Sequence, residues 1–433
     1  MKNFVDVEEK LPMLKTIPLS IQHLFAMVGA TILVPMLTGM NPSIALLCSG
    51  IGTLLYIVCT KAKLPAYIGS SFAFVTPMIL ASKQYGVGAM QAGVMSAGIV
   101  YIIVAIIISF TGSGWINKLL PPVVVGAVVI VIGLGLAGTA VDWAGLSANP
   151  SSAVSAALVY TPLWAWIAVS MVTLFVGVFG SMYFKGFLGV IPILIAMICG
   201  YATALALGVV PQSAIDAIIA TKLFRAPPFT MPRFGGNAWK AMILMAPVSF
   251  VTLAEHIGHV YVTNNVTGRD FTKNPGLHRS ILGDGVATMM AGLIGGPPNT
   301  TYGENIGVMA ITRVYSVWVI GWAAVIAILM SFIGPISAVI QNMPLPVMGG
   351  VSILLFGIIA SSGFRIFVED KVDFGKKRNL IITSVIIVLG IGGATVKLNF
   401  HGTPLGEISG VALATLVGII LNMILPNDSM TEK

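Results

Sequence analysis

Charged residues are scarce in this chain. Of 433 residues, 23 are Lys or Arg and 15 are Asp or Glu, only 9% together. A soluble globular chain carries about 25%, so the scarcity excludes a cytosolic enzyme and a disordered chain. Cysteine is sparse too: Cys48, Cys59 and Cys199 all lie in apolar stretches, which gives no disulfide framework and no metal-ligand spacing. The first 17 residues contain Glu8, Glu9 and Lys10 and lack the layout of a cleavable leader. The first span is therefore expected to act as its own insertion signal. What the chain has in plenty is apolar side chain, 57% of residues, with a mean hydropathy of +0.96. That combination points to a polytopic membrane protein. Its net charge of +8 needs no nucleic-acid partner, because cytoplasmic loops of membrane proteins collect Lys and Arg. The 48 Gly and 24 Pro exceed average usage and suggest interrupted helices and close helix contacts.

A spanning helix needs about 20 mostly apolar residues. On that basis fourteen segments are expected, at 18–37, 43–60, 64–83, 87–111, 121–141, 162–184, 186–208, 240–262, 279–296, 297–315, 316–335, 344–363, 379–397 and 407–425. Tails of 1–17 and 426–433 flank them. With both termini in the cytoplasm, 17 of the 23 basic residues fall on the inner side. Only Lys83, Lys222, Arg225, Arg233, Lys240 and Lys397 fall outside, most of them in or beside the long loop 209–239. That asymmetry supports an even span count and a cytoplasmic N-terminus in the cell membrane.

Three short matches recur in the same order in the two halves. Gln22-His23 resembles Glu255-His256, Ser70-Ser71-Phe72 resembles Thr300-Thr301-Tyr302, and Pro122, Gly126 and Gly133 match Pro346, Gly350 and Gly357. Each links segment n to segment n+7. Seven is odd, so the second copy enters from the opposite face and the repeat is inverted, an architecture of many secondary transporters. Such proteins bind substrate near the midplane, where paired segments are broken. Segments 3 and 10, with LPAYIGSSFAFVTP and GGPPNTTYGEN, place Pro and Gly inside apolar runs and are expected to be extended in the middle.

Of the acids, only Glu255, Asp284 and Glu304 lie well inside expected spans. A charge at that depth costs about 2.5 to 3.5 kcal/mol or more, so each needs a partner, a proton or a water-filled site. Glu255 and His259 are four apart and share a helical face; they suit proton coupling, or else form a buried packing pair. His23 and His256 are further titratable groups with the same two readings. Glu304 follows Tyr302 and Gly303 at the expected break, where a carboxylate accepts N–H donors and an unwound backbone offers amides. Phe72, at the matching place, either stacks on a planar ring or packs. Asp284, within GDG, either serves coupling behind the site or bonds helix ends. The string GLGLAG at 133–138 has the letters of a dinucleotide fingerprint but sits in an expected span, where glycine-mediated packing explains it.

The run ENIGVMAITR at 304–313, with Gln22-His23, PAYIGSSFAF at 65–74, AEHIGH at 254–259 and PNTTYGENIGV in segment 10, resembles the nucleobase–ascorbate transporter family, nucleobase:cation symporter-2. The likeness runs over nearly the whole chain and is strongest to the branch that carries uracil in bacteria. It implies an all-α polytopic fold of fourteen segments in two inverted seven-segment repeats, with short strands in segments 3 and 10. A core domain would comprise 18–111 and 240–335, and a gate domain 121–208 and 344–425. It further implies uracil uptake driven by a proton, with no other cofactor, in a homodimer joined through the gate domain. Carried over by motif position, Glu255 and Glu304 would contact the base, Phe72, Tyr302 and Gly303 would contribute at the break, and Ala30 would line the pocket. His259 would couple the proton beside Glu255, and Asn305, Gln22, His23 and Asp284 would stand behind. Asp284 occupies a place where purine-carrying members have an important acid and some uracil carriers have Asn.

Uracil offers two ring N–H donors and two carbonyl acceptors, so two carboxyl groups and backbone amides complement it. The expected function is a proton-coupled uracil importer in the lipid bilayer working by alternating access. The rivals are a xanthine or urate carrier of the same family and an anion exchanger or channel on the same fold. An enzyme is disfavoured, since no nucleophile with a base is visible.

Overall fold

The computed structural model describes residues 4–400 and 403–426; Lys2, Lys433 and 427–433 of the expected C-terminal tail lie outside the described residues. Among these, six helices are long and apolar enough to cross a membrane, and a seventh results if one bent pair is taken together. Val87–Thr111 matches its expected bounds, and Pro42–Cys59 and Leu163–Tyr183 lie within a residue of theirs. Local chemistry sets such bounds. Gly39, at φ 72°, ends one helix in the left-handed conformation. Two residues on, Asn41 caps the next by accepting from the Ser43 N–H, with Pro42 in the first turn. Large apolar side chains such as Phe110, Phe179, Met182 and Val388 stay exposed, a surface that lipid rather than water solvates.

Segments 3 and 10 are half strand and half helix, as expected. β1 (Ile68–Ser70) leads through Phe72–Phe74 into the helix Val75–Tyr85. β2 (Asn299–Thr301) leads into Gly303–Thr312. The two strands pair antiparallel, Ile68 opposite Thr301 and Ser70 opposite Asn299.

Several expectations need correction. Segment 1 is not one span over 18–37 but two helices, Met13–Ala26 and Val28–Thr38, bent by 40° at Met27. The fold is not purely helical outside segments 3 and 10 either. The segment 13 helix stops at Ile391 and segment 14 starts at Gly410. Between them β3 (Thr395–Phe400) pairs with β4 (Thr403–Ser409); Gly393, at φ 67°, breaks the helix, and the polar run that follows favours a hairpin. GLGLAG lies inside the apolar span Pro122–Trp143, as expected, at a short interruption between Pro122–Leu134 and Ala137–Trp143. Segment 8 runs further than 240–262, as Ala238–Met245 and Val248–Thr267. Segment 12 extends past 363 to Glu369.

Residues 13–17 of the expected N-terminal tail are helical, and the part before them is strapped to the fold. Val5 donates to Arg313 O at 2.9 Å, Tyr315 and Val317 donate back to Val5 O and Val7 O, and Ser316 Oγ donates to Glu9 O at 2.6 Å. Arg269 holds Glu8 at 2.7 and 2.8 Å and Asp6 at 2.7 Å. The strap thereby joins the ends of Val248–Thr267 and Gly303–Thr312, the two helices that carry Glu255 and Glu304.

Helix packing falls into two sets. Leu277–Ile294 lies against Val87–Thr111 and Pro42–Cys59, which also meets Val317–Ser331. Separately, Leu345–Glu369 packs on Pro122–Leu134 and Leu163–Tyr183, and Lys377–Ile391 on Gly410–Ile424. Glycines set the closest approaches in both: a Cβ at Gly98 would sit 2.8 Å from Gly285 O, and one at Gly126 2.9 Å from Gly363 O.

Val7 is fully buried, whereas the Arg269 ion pairs are partly exposed. Exposed pairs contribute about 1 kcal/mol or less, while an unpaired carboxylate in an apolar site costs about 3 kcal/mol or more. Thermal unfolding in detergent is therefore expected to show a much larger loss for Val7→Asp than for Arg269→Ala; the reverse order would mean that charge, not burial, holds the strap. Arg269 also keeps the Glu8 carboxyl below its usual 4.5. The pair's contribution is thus present at neutral pH and is lost as pH falls through that lowered value.

Candidate functional site

The break in segments 3 and 10 leaves strand edges in the interior, where every N–H and C=O needs a partner. Two threonines supply them. Thr53 Oγ1 accepts from Ile68 N at 3.1 Å and donates to Ile68 O at 3.2 Å. Thr288 Oγ1 accepts from Asn299 N and donates to Asn299 O, both at 3.1 Å. Further links fix the pair: Tyr302 N donates to Tyr67 O at 3.0 Å, Ser71 N to Pro298 O at 3.0 Å, and Tyr302 OH to Ser70 O at 3.1 Å. At Gly69 a Cβ would meet the Tyr302 ring at 2.7 Å, so the residue must be Gly for the ring to lie there.

Beyond the strands both helices begin, so two N-terminal ends with free N–H groups and positive dipole ends sit next to each other. Glu304 is the second residue of its helix and is exposed despite its depth. Glu255 is half-buried on Val248–Thr267. His259, one turn on from Glu255, bonds Thr301 Oγ1 through Nδ1 at 2.9 Å. Its Nε2 faces Gly303, where a Cβ would come within 3.1 Å. A Cβ at Gly258 or Gly307 would meet nothing within 4 Å. Glu255, Gly258, Glu304 and Gly307 therefore border open space, with His259 and Gly303 at its back.

The remaining expected residues divide. Asn305 Nδ2 donates to His23 Nδ1 at 3.1 Å and to His23 O at 3.0 Å, tying the Glu304 helix to Met13–Ala26; Gln22 is buried beside His23. Ala30 is buried in the helix after the Met27 bend. Phe72 is half-buried, its ring edge-on to Phe356 at 5.8 Å, so it packs towards the second helix set. Asp284 is not at the open space: it is buried, and its Oδ2 lies 2.8 Å from His256 Nδ1.

Sequence reasoning missed Thr53, Thr288 and the contact of Thr301 with His259. A threonine in an apolar helix facing a broken segment is the one signal that could have found the first two. Chemically, two carboxyl groups beside two sets of free amides can hold a small planar ring that presents both donors and acceptors.

A model of the permease family matches residues 14–398. The uracil permease of Bacillus caldolyticus is 52% identical over 429 residues, 98% of this chain and 95% of that one. The uracil permease of Escherichia coli (strain K12) is 48% identical over 420 residues, 97% and 93% of the two chains. The transmembrane domain of the cyanobacterial bicarbonate transporter BicA superposes with a TM-score of 0.62 at 15% identity, over 96% of this chain and 99% of that one; it shares the fold.

Gly69→Ala is expected to push the Tyr302 ring off Ser70 and cost about 1 to 3 kcal/mol. Thermal unfolding checks it, and an unchanged melting temperature would show that the strand pair yields without loss.

Proposed function

This chain belongs to the permease family and is a multi-pass membrane transporter, not an enzyme; from that premise we propose that it imports uracil with a proton by alternating access. The observation that carries the reading is the pair of acids at the break. Glu304 and Glu255 border open space beside two helix N-termini, and proteins that share about half of this sequence over nearly their full length are named for uracil. Each carboxyl group accepts one ring N–H, and the free amides before Val75 and after Tyr302 receive the carbonyl oxygens. No cofactor beyond the proton is needed. His259, between Glu255 and Gly303, is placed to exchange that proton with the site.

The finer architecture belongs to the same proposal: fourteen segments in two inverted repeats, both termini in the cytoplasm, in the cell membrane. The symmetric use of Thr53 on β1 and Thr288 on β2, from segments 2 and 9, supports a two-fold axis through the strand pair. The two helix sets support a core of 18–111 and 240–335 moving against a gate of 121–208 and 344–425. A cavity of about 550 Å³ between Leu24, Leu46, Met197, Tyr201 and Ile340 and another of about 250 Å³ between Phe72, Val131 and Gly390 lie along that boundary and leave room for such motion. The gate's exposed ladder of Phe175, Phe179 and Tyr183 suits lipid or a second copy of the chain, a homodimer joined through the gate.

A panel of free bases added to the purified protein tests the substrate. Uracil is expected to raise the melting temperature by mass action, and Glu304→Gln to weaken its binding at least about tenfold. Stabilisation by xanthine or urate and not by uracil would make the chain a purine carrier, a reading that the buried Asp284 would fit. Uptake indifferent to a proton gradient would favour an exchanger or channel. For coupling, His259→Leu is expected to impair proton-driven accumulation more than equilibrium binding; equal loss of both would place His259 in the pocket.

A further inference from the structure

One stretch of the expected outer side breaks the charge asymmetry of the chain. The loop 209–239 holds Lys222, Arg225 and Arg233 against a single acid, Asp216, although cations otherwise gather on the inner side. Asp216 is occupied by Gln212 Nε2 at 3.0 Å. Lys222 and Arg225 are exposed, and among the described residues neither side chain has an ion-pair or hydrogen-bond partner. Leu223 and Phe224 between them are exposed as well. A run that mixes cations with apolar side chains suits the headgroup level of a bilayer.

The backbone of this run is tied to the rim of a cavity. Phe224 pairs with Ile333 in an isolated antiparallel bridge. Arg225 N donates to Phe332 O and Gly334 N to Leu223 O, both at 2.9 Å. Gly334 opens the helix Gly334–Gln341, and a Cβ there would collide with Lys222 O. Pro335, Ile336 and Ile340 of the same helix line the cavity of about 550 Å³, so the two cations stand at its edge.

The cavity is apolar. Its lining carries no charged, amide or imidazole side chain, and two of its hydroxyls, Ser43 and Ser337, bond Asn41 Oδ1 at 2.6 and 3.1 Å. Water does not fill such a space, and uracil would leave its donors and acceptors unpaired in it. Ile198 and Leu205 of Pro192–Ala206 line it and are exposed, which opens the cavity sideways to the bilayer hydrocarbon. Leu24 and Leu46 line it from Met13–Ala26 and Pro42–Cys59. Pro192–Ala206 packs on Leu163–Tyr183, so an occupant touches both helix sets at once.

We propose that the cavity and its two cations bind one phospholipid of the outer leaflet, with an acyl chain in the cavity and the phosphate at Lys222 and Arg225. The inference goes beyond uracil transport and takes only the membrane orientation from the reading above. Hydrocarbon restores the contacts that the lining of an empty void lacks, and the phosphate accepts charge-assisted hydrogen bonds from both cations. A headgroup of net negative charge is favoured over a zwitterionic one, which brings a cation of its own to the same edge.

Thermal unfolding of the delipidated protein in an uncharged detergent tests the site with phosphatidylglycerol, phosphatidylcholine and inorganic phosphate, each with and without uracil. Phosphatidylglycerol is expected to raise the melting temperature at lower concentration than phosphatidylcholine, a preference that high salt removes. Lys222→Ala with Arg225→Ala is expected to weaken phosphatidylglycerol at least about tenfold and phosphatidylcholine little. Ala202→Phe, which fills the cavity from an exposed position of its lining, is expected to abolish stabilisation by both lipids and to leave the uracil shift unchanged. Should that variant fold poorly, the surface double variant still decides. Stabilisation by inorganic phosphate equal to that by phosphatidylglycerol would reduce the edge to an anion site, and unchanged phosphatidylglycerol binding in either variant would place the lipid elsewhere; both results overturn the proposal. A wild type that responds to phosphatidylglycerol but not to uracil would strike the uracil reading and leave the lipid site standing.

Discussion

The site depends on four backbone groups in the middle of the fold. A segment that unwinds in a bilayer exposes N–H and C=O groups at several kcal/mol each. Here the inner edges of β1 and β2 satisfy each other, and the outer edges at Ile68 and Asn299 are taken up by Thr53 and Thr288. A serine or threonine hydroxyl both donates and accepts, so one side chain completes one residue's backbone. With that cost removed, two helices can begin in the interior, and their free N–H groups face one space.

Close helix contacts make the threonines reach. Gly52, one residue from Thr53, would bring a Cβ to 2.7 Å from Asn299 Nδ2, and Gly283 one to 2.6 Å from the Tyr56 ring. The two glycines around Asp284 are therefore packing positions: Gly283 meets Tyr56 and Gly285 meets Tyr101 and Gly98. They carry Asp284 into the interior against His256 rather than to the open space. The abundance of glycine thus serves helix contact at most of these places and an unusual backbone conformation at few.

Much of this was legible in the sequence where the signal is local. Pro and Gly inside apolar runs located both breaks, because lipid tolerates neither a missing donor nor a flexible backbone without compensation. Glu255 and His259 were placed together by helical spacing alone. The bend at Met27 was not legible, since VGATIL continues the apolar run without a breaker at the bend. The pairing of β3 with β4 was hidden because their outer ends, 395–397 and 407–409, fall inside the windows expected to span. The strap through Val5 and Val7 was hidden because its partners, at 313–317, lie some 300 residues away. Pairings of that kind, including Asn305 with His23 and Ser280 with Tyr56, are set by tertiary contact and leave no periodic trace.

The three deep acids answer the cost of membrane depth in three ways. Glu304 is exposed to the open space, so water or a ligand solvates it. Glu255 is half-buried, on the same helical face as His259. Asp284 is buried and has the His256 imidazole 2.8 Å from its Oδ2, so its polar partner lies within the fold rather than in solvent. His259 and Thr301 connect the open space to the buried pair of His256 and Asp284 by hydrogen bonds. The paired strands hold Thr301, and through it His259, beside the Glu304 helix.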